Sequence, residues 1–108
     1  MPLELTYEKC RLTAALSGEI DHHAAAYLRE QIDQALTAHR PPMLTLDFGG
    51  VTFMDSSAVG LVMGRYKTLS SHGGELEVVN LSPVAYRMMR MANLQSIAKL
   101  KEKERMTA

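Results

Sequence analysis

Asp55-Ser56-Ser57 lies between a strand-like run, Thr45 to Met54, and a Gly-rich helical run, Ala58 to Leu69, so two hydroxyls fall where a strand hands over to a helix. Backbone N–H groups at a helix start are unpaired and carry partial positive charge, which favours an oxyanion or phosphoryl group there by roughly 0.3–1 kcal/mol. A serine in that place can act as a cap, a nucleophile or a phosphate acceptor. On the residues alone capping is the commonest role, since Ser and Asp are frequent N-caps. Phosphate on Ser56 would add about −1.5 to −2 charges at a point the helix dipole partly tolerates, so the domain would stay folded while its surface changed sign. Ser56, Gly60 and Gly64 recur every four residues and share one helix face. That face is either a strip bare of side chains, open to a partner's backbone, or a place for close packing of helix on sheet.

Placing these residues requires the elements around them. Leu3, Leu5 and Tyr7, then Leu12, Ala14 and Leu16, alternate with polar or smaller residues and predict a hairpin of two strands, with Cys10 in or beside its turn. Ser17 to Asp21 closes the second strand. Ala25, Leu28, Ile32, Ala35 and Leu36 then recur at helical spacing, predicting a helix over about Ala24 to Ala38. Pro41-Pro42 cannot continue a helix, so Met43 to Phe48 reads as the next strand, with Gly49-Gly50 and Val51 to Met54 leading to the serines. Val59, Val62, Met63, Tyr66 and Leu69 form the predicted buried stripe of the second helix, which ends near Ser70 to Gly74. Glu75 to Leu81 reads as a strand. Ser82-Pro83 opens a third helix with Val84, Met88 and Met91 on its buried side and Asn93 at its end, and a last strand is expected from Ser96 to Leu100.

A hairpin followed by strand–helix repeats predicts an α/β fold with a mixed sheet of four or five strands. Right-handed crossovers stepping the same way place the helices mainly on one face. The carboxyl ends of the parallel strands then gather Asp21, Asp55, Ser56 and the start of the second helix.

Composition bounds the function. The chain has 108 residues, 46% hydrophobic and 22% charged, which describes one domain, with its core at about 3–100 and a charged, frayed tail at 101–108. Twelve Lys and Arg balance twelve Asp and Glu, so no basic surplus or stripe marks direct nucleic-acid binding. No window approaches the ~18–20 apolar residues of a membrane span, and the first residues lack a leader pattern. The same glycine spacing occurs in membrane helix pairs, but Arg65 and Lys67 beside it oppose that reading. One cysteine and eight methionines fit a reducing, cytoplasmic setting.

His22-His23 raises two further readings. Metal binding lacks a third ligand at suitable spacing. A hydrolase using Ser56 or Ser57 with one of these histidines as base lacks a Gly-x-Ser-x-Gly elbow and a group to orient the base. Neither a P-loop nor a Gly-x-Gly-x-x-Gly fingerprint occurs. No enzyme activity, cofactor or metal is expected. Met88 to Met91 is either core filling or an adaptable binding surface.

Gly18-Glu19-Ile20-Asp21-His22-His23, Phe53-Met54-Asp55-Ser56-Ser57, Gly64-Arg65-Tyr66-Lys67 and Gly73-Gly74-Glu75 together resemble the STAS domain of bacterial anti-sigma factor antagonists. The likeness runs from about Leu3 to Leu100 and is nearest to the sporulation antagonists of the anti-sigma F factor. It implies binding to a cytoplasmic serine kinase that also sequesters a sigma factor, phosphorylation of Ser56 by that kinase, and restoration by a serine phosphatase. Its partner-facing residues are expected at Glu19, Asp21, Asp55, Ser57, Ala58, Gly60 and Gly64, with Glu19 and Asp21 as acidic contacts for a basic surface. The free protein is expected to be a monomer. Ala58 departs from the glycine usual in the family, and a regulatory STAS module of a transporter or another phosphorelay is the alternative.

Overall fold

The computed structural model describes residues 2–104. Its elements run β1 (Leu3–Glu8), β2 (Arg11–Ile20), α1 (His22–His39), β3 (Met43–Met54), α2 (Ser56–Ser70), β4 (Glu75–Leu81), α3 (Pro83–Met91), a short 3-10 turn (Leu94–Ser96) and β5 (Lys99–Glu102). They form one five-stranded sheet in sequence order, with β1 antiparallel to β2 and every later neighbour parallel. Lys9 and Cys10, both at positive φ, make the tight turn of the hairpin.

Parallel neighbours put the carboxyl ends of β2, β3 and β4 on one edge, so α1, α2 and α3 all begin there. Leu28, Ile32 and Leu36 of α1, Leu61, Val62 and Leu69 of α2, and Ala85 and Met89 of α3 join Leu12, Ala14, Leu16, Leu44, Leu46 and Val78 of the sheet in a single core. The helices therefore cover one face, as the strand order predicts. Burial of these side chains from water is the main stabilising contribution, about 1.5–3 kcal/mol for each large one.

The opposite face carries no helix among the described residues and is largely polar, with Thr45 and Glu77 buried in it. At its centre Glu77 accepts a hydrogen bond from the Thr45 hydroxyl (2.8 Å) and pairs with Arg11 (3.4 Å) and Lys101 (3.5 Å). Burial works to raise the Glu77 pKa, but the Thr45 hydroxyl, Lys101 and Arg11 together outweigh it and hold the carboxyl below its ordinary value.

Several predicted boundaries and stripes are corrected. α1 begins at His22 because Asp21 caps it, its carboxylate accepting from the Ala24 N–H at 2.9 Å. β3 continues through Gly49-Gly50 without a break. A Cβ on Gly50 would lie 2.8 Å from that of Ser17, so the glycine is what lets β3 stay against β2 where their register shifts. On α2, Met63 is exposed and Val59 and Tyr66 are only half-buried, while Leu61 and Arg65 take the buried side with Val62 and Leu69. Arg65 reaches α1, its Nε 3.1 Å from Asp33 Oδ1, and burial lowers its pKa against the pull of that carboxylate.

On α3 the stripe is displaced by one residue. Val84 (65% exposed) and Met91 (81% exposed) face out, whereas Ala85 and Met89 are buried. Methionine around most of that helix blurs the period that would have told these faces apart. The last strand lies at Lys99–Glu102 and not from Ser96, so the tail expected to fray from Lys101 begins inside the sheet. The rest of that tail, 105–108, lies outside the described residues.

Candidate phosphoacceptor site

In register, Ile20 of β2 stands beside Met54 of β3, so the next residues along each chain segment, Asp21 and Asp55, open α1 and α2 side by side. The Asp55 N–H donates to the Ile20 carbonyl at 3.3 Å, tying the two junctions together. Asp55 is the N-cap of α2: its backbone is extended and its carboxylate accepts from the Ser57 N–H at 2.8 Å. With Asp55 as the cap, Ser56 becomes the first helical residue and does not have to cap anything.

Ser56 is exposed and Ser57 half-buried, and among the described residues neither hydroxyl has a hydrogen-bond partner. No acidic residue within the first turn of α2 adds to the Asp55 cap, whose carboxylate offsets part of the helix dipole. Asp21 is exposed, and the hydrogen bond from Ala24 N–H leads the causes that hold its carboxyl below the usual range.

Gly60 and Gly64 settle the alternative left open by their spacing. A Cβ built on either meets nothing within 4 Å outside the helix backbone, so neither glycine is there to let another element pack closely. With Ser56 they mark an open face on α2. Glu19, also exposed, sits in register with Phe53, one residue before Met54. The structure thus brings Glu19, Asp21, Asp55, Ser56 and Ser57 to one edge.

Ala58 does not belong to that surface. It is fully buried and its methyl is part of the core, so the departure from glycine is met by interior packing. The exposed apolar side chains Phe53 and Val84 were missed by the sequence reading. The signal available was Phe53 itself, directly before Met54-Asp55, although its exposure depends on where β4 ends.

His22 and His23 lie edge to face at 6.0 Å on the first turn of α1, and no imidazole hydrogen-bonds either serine among the described residues. No cluster of three or more His, Cys, Asp or Glu side chains suited to a metal is found among those residues. None of their helices is long and apolar enough to cross a membrane.

Comparison with known proteins agrees with this fold. The chain is 33% identical over 104 residues to the anti-sigma F factor antagonist of Paenibacillus polymyxa, covering 96% of this chain and 89% of that one. It is 31% identical over 88 residues to the anti-sigma-B factor antagonist of Bacillus subtilis (strain 168), covering 82% and 79%. The solved structure of the anti-sigma factor antagonist SpoIIAA in its unphosphorylated form superposes with a TM-score of 0.80 at 29% identity, over 91% of this chain and 86% of that one. The phosphorylated form of the Bacillus cell fate determinant SpoIIAA gives 0.73, also at 29% identity, over 91% and 89%. The STAS domain model matches residues 6–106. With five strands in this order, helices on one face and relatives that are anti-sigma factor antagonists, the chain belongs to the STAS domain family.

Proposed function

We propose that the unmodified chain binds an anti-sigma factor that is also a serine kinase, so releasing the sigma factor, and that phosphorylation of Ser56 by that kinase switches binding off. A serine phosphatase then resets the protein. The observation that carries this reading is the position of Ser56: exposed, first in α2, relieved of capping by Asp55 and followed on the same face by two unobstructed glycines.

The energetics need no unfolding. A doubly charged group on Ser56 that removes about 4 kcal/mol of interface energy weakens the complex roughly a thousandfold. The helix start tolerates that charge within the domain, so the cost falls on the interface. Glu19 and Asp21 supply acidic contacts on one side of Ser56, and Ser57, Gly60 and Gly64 allow close approach on the other. The ADP-bound kinase is the form held, the free chain is a cytoplasmic monomer, and residues 1–108 act as one domain. The relatives' names and the solved phosphorylated form of SpoIIAA support this reading.

The test is incubation with the host's kinase and ATP, followed by intact-mass and peptide analysis. One phosphate on Ser56, absent from Ser56→Ala, is the expected result. Label on Ser57, or on no serine, overturns the assignment.

A further inference from the structure

We propose that the far half of β3 and the start of α3 form a docking groove for an extended, apolar segment of the anti-sigma partner, continuous with the acceptor serine but separate from it. The inference rests on the reading of Ser56 as the kinase's target, for which it supplies a second point of attachment.

The groove arises from unequal strands. β2 accompanies β3 as far as Met54, whereas β4 pairs with it only from Met43 to Asp47. Beyond Asp47 the β4 side of β3 has no paired residue, although Asn80 of β4 still lies against Gly49. From Val51 onward this edge has no neighbouring strand among the described residues, and along such an edge alternate residues direct N–H and C=O groups outward. One of these donors is occupied, since the Gly49 N–H donates to Asp47 Oδ1 at 2.8 Å. Among the described residues, backbone hydrogen bonds from loops and turns do not reach Phe48 to Met54.

Ser82 caps α3, and the helix stands off from this edge. A cavity of about 320 Å³ is left between them, lined mainly by Phe48, Val51, Phe53, Met54, Val84 and Ala85. Phe53 is 57% and Val84 65% exposed, so the apolar rim is accessible. That volume is at the low end for ligand pockets, which suits one or two side chains of a protein partner better than a cofactor.

Two features specify the occupant. An open strand edge accepts another extended backbone, and the apolar lining accepts apolar side chains projecting from it. Position then specifies whose backbone it is. Met54, which lines the groove, precedes Ser56 by two residues, and Glu19, an expected acidic contact, is the register neighbour of Phe53. A kinase that reaches Ser56 thus finds the groove directly beside its target.

The test uses the purified anti-sigma factor kinase of the same organism, with ADP for binding and ATP for turnover. Phe53→Ser and Val84→Ser, both at exposed positions, are each expected to raise Kd about tenfold. The KM for Ser56 phosphorylation should rise by a similar factor with kcat unchanged, because the groove does not touch the transferring phosphate. In the wild-type complex, amide hydrogen exchange should slow between Val51 and Met54, a readout that stands if either variant proves unstable by circular dichroism.

Unchanged Kd in folded variants, or unchanged exchange in the wild-type complex, overturns the groove while leaving the Ser56 switch intact. Sedimentation showing a wild-type dimer that the variants lose, with kinase affinity unaltered, overturns it in favour of self-association. Wild-type chain that neither binds the kinase nor is phosphorylated defeats the underlying reading and the groove with it.

Discussion

The starts of α1 and α2 stand side by side at the ends of two paired strands, each closed by an aspartate in extended conformation, with φ −98° and ψ −172° at Asp21 and φ −109° and ψ −168° at Asp55. Neither helix has an acidic residue in its first turn, so in each the capping aspartate alone offsets the dipole. They differ in the side chains after the cap. α1 continues with two imidazoles, whereas α2 continues with two hydroxyls and then Gly60 and Gly64, which have open space where a side chain would be. An aspartate-capped helix start therefore carries no functional signal by itself; the signal lies in the groups left off the surface around it.

The sharpest way to break this comparison is to place one charge at the same position of each helix. Ser56→Asp should weaken kinase binding by about 4 kcal/mol, roughly a thousandfold, whereas His22→Asp should change it less than tenfold. Calorimetric titration with the purified kinase measures both. Equal losses would make the two ends equivalent and defeat the distinction.

Removing the caps comes next in size. Asp55→Ala should cost about 1 kcal/mol of folding stability through the lost bond to the Ser57 N–H, and Asp21→Ala should also lower Tm. Both effects can be read by urea or thermal unfolding, and both variants should also slow Ser56 phosphorylation, the first by loosening the start of α2 and the second by removing an acidic contact for the kinase.

Filling the open face should do the opposite to stability. Gly60→Ala and Gly64→Ala each replace a poor helix former where a methyl meets nothing, so folding stability should rise by about 0.5–1 kcal/mol apiece, read from the unfolding midpoints. Kinase affinity should fall in the same variants. A gain in stability with unchanged affinity would show that the bare strip is not approached.

The smallest effect belongs to the outer sheet face, far from both helix starts. Glu77→Gln should cost less than about 1 kcal/mol near neutral pH, because Arg11 and Lys101 are largely exposed. Since the folded carboxyl lies below its ordinary value of 4.5, its contribution is fully present above that pH and is lost as pH falls through the lower folded value. Wild type and variant should therefore converge in stability as pH falls through the lowered folded value of this carboxyl, with kinase binding unaltered throughout.

Legibility in the sequence followed how strongly each residue commits to one environment. Leu28, Ile32 and Leu36 have polar neighbours on the other faces of α1, so their stripe was plain, and Ser82-Pro83 marked the start of α3 through capping chemistry. Met88, Met89 and Met91 carry little directional information, which is why the face of α3 was misplaced by one residue. Arg65 looked like a surface charge, yet its long stem spans to Asp33 and lies buried. The strand read from Met43 stopped at Phe48, with Gly49-Gly50 only leading toward the serines, because nothing local reveals the close approach of Ser17, a contact distant in sequence. The Asp-Ser-Ser junction was legible because it depends on local geometry. The burial of Ala58 and the free edge of β3 were not, since each depends on how other elements pack or where another strand stops.

The hydrogen bond from Asp55 N–H to the Ile20 carbonyl has a bearing on speed. It pins the two junctions to one another, so an added group on the neighbouring hydroxyl has little slack through which to reshape distant parts of the fold. Under the proposed switch, the modification would then act by contact at the partner's surface, and the tempo of the relay would be set by encounter and departure.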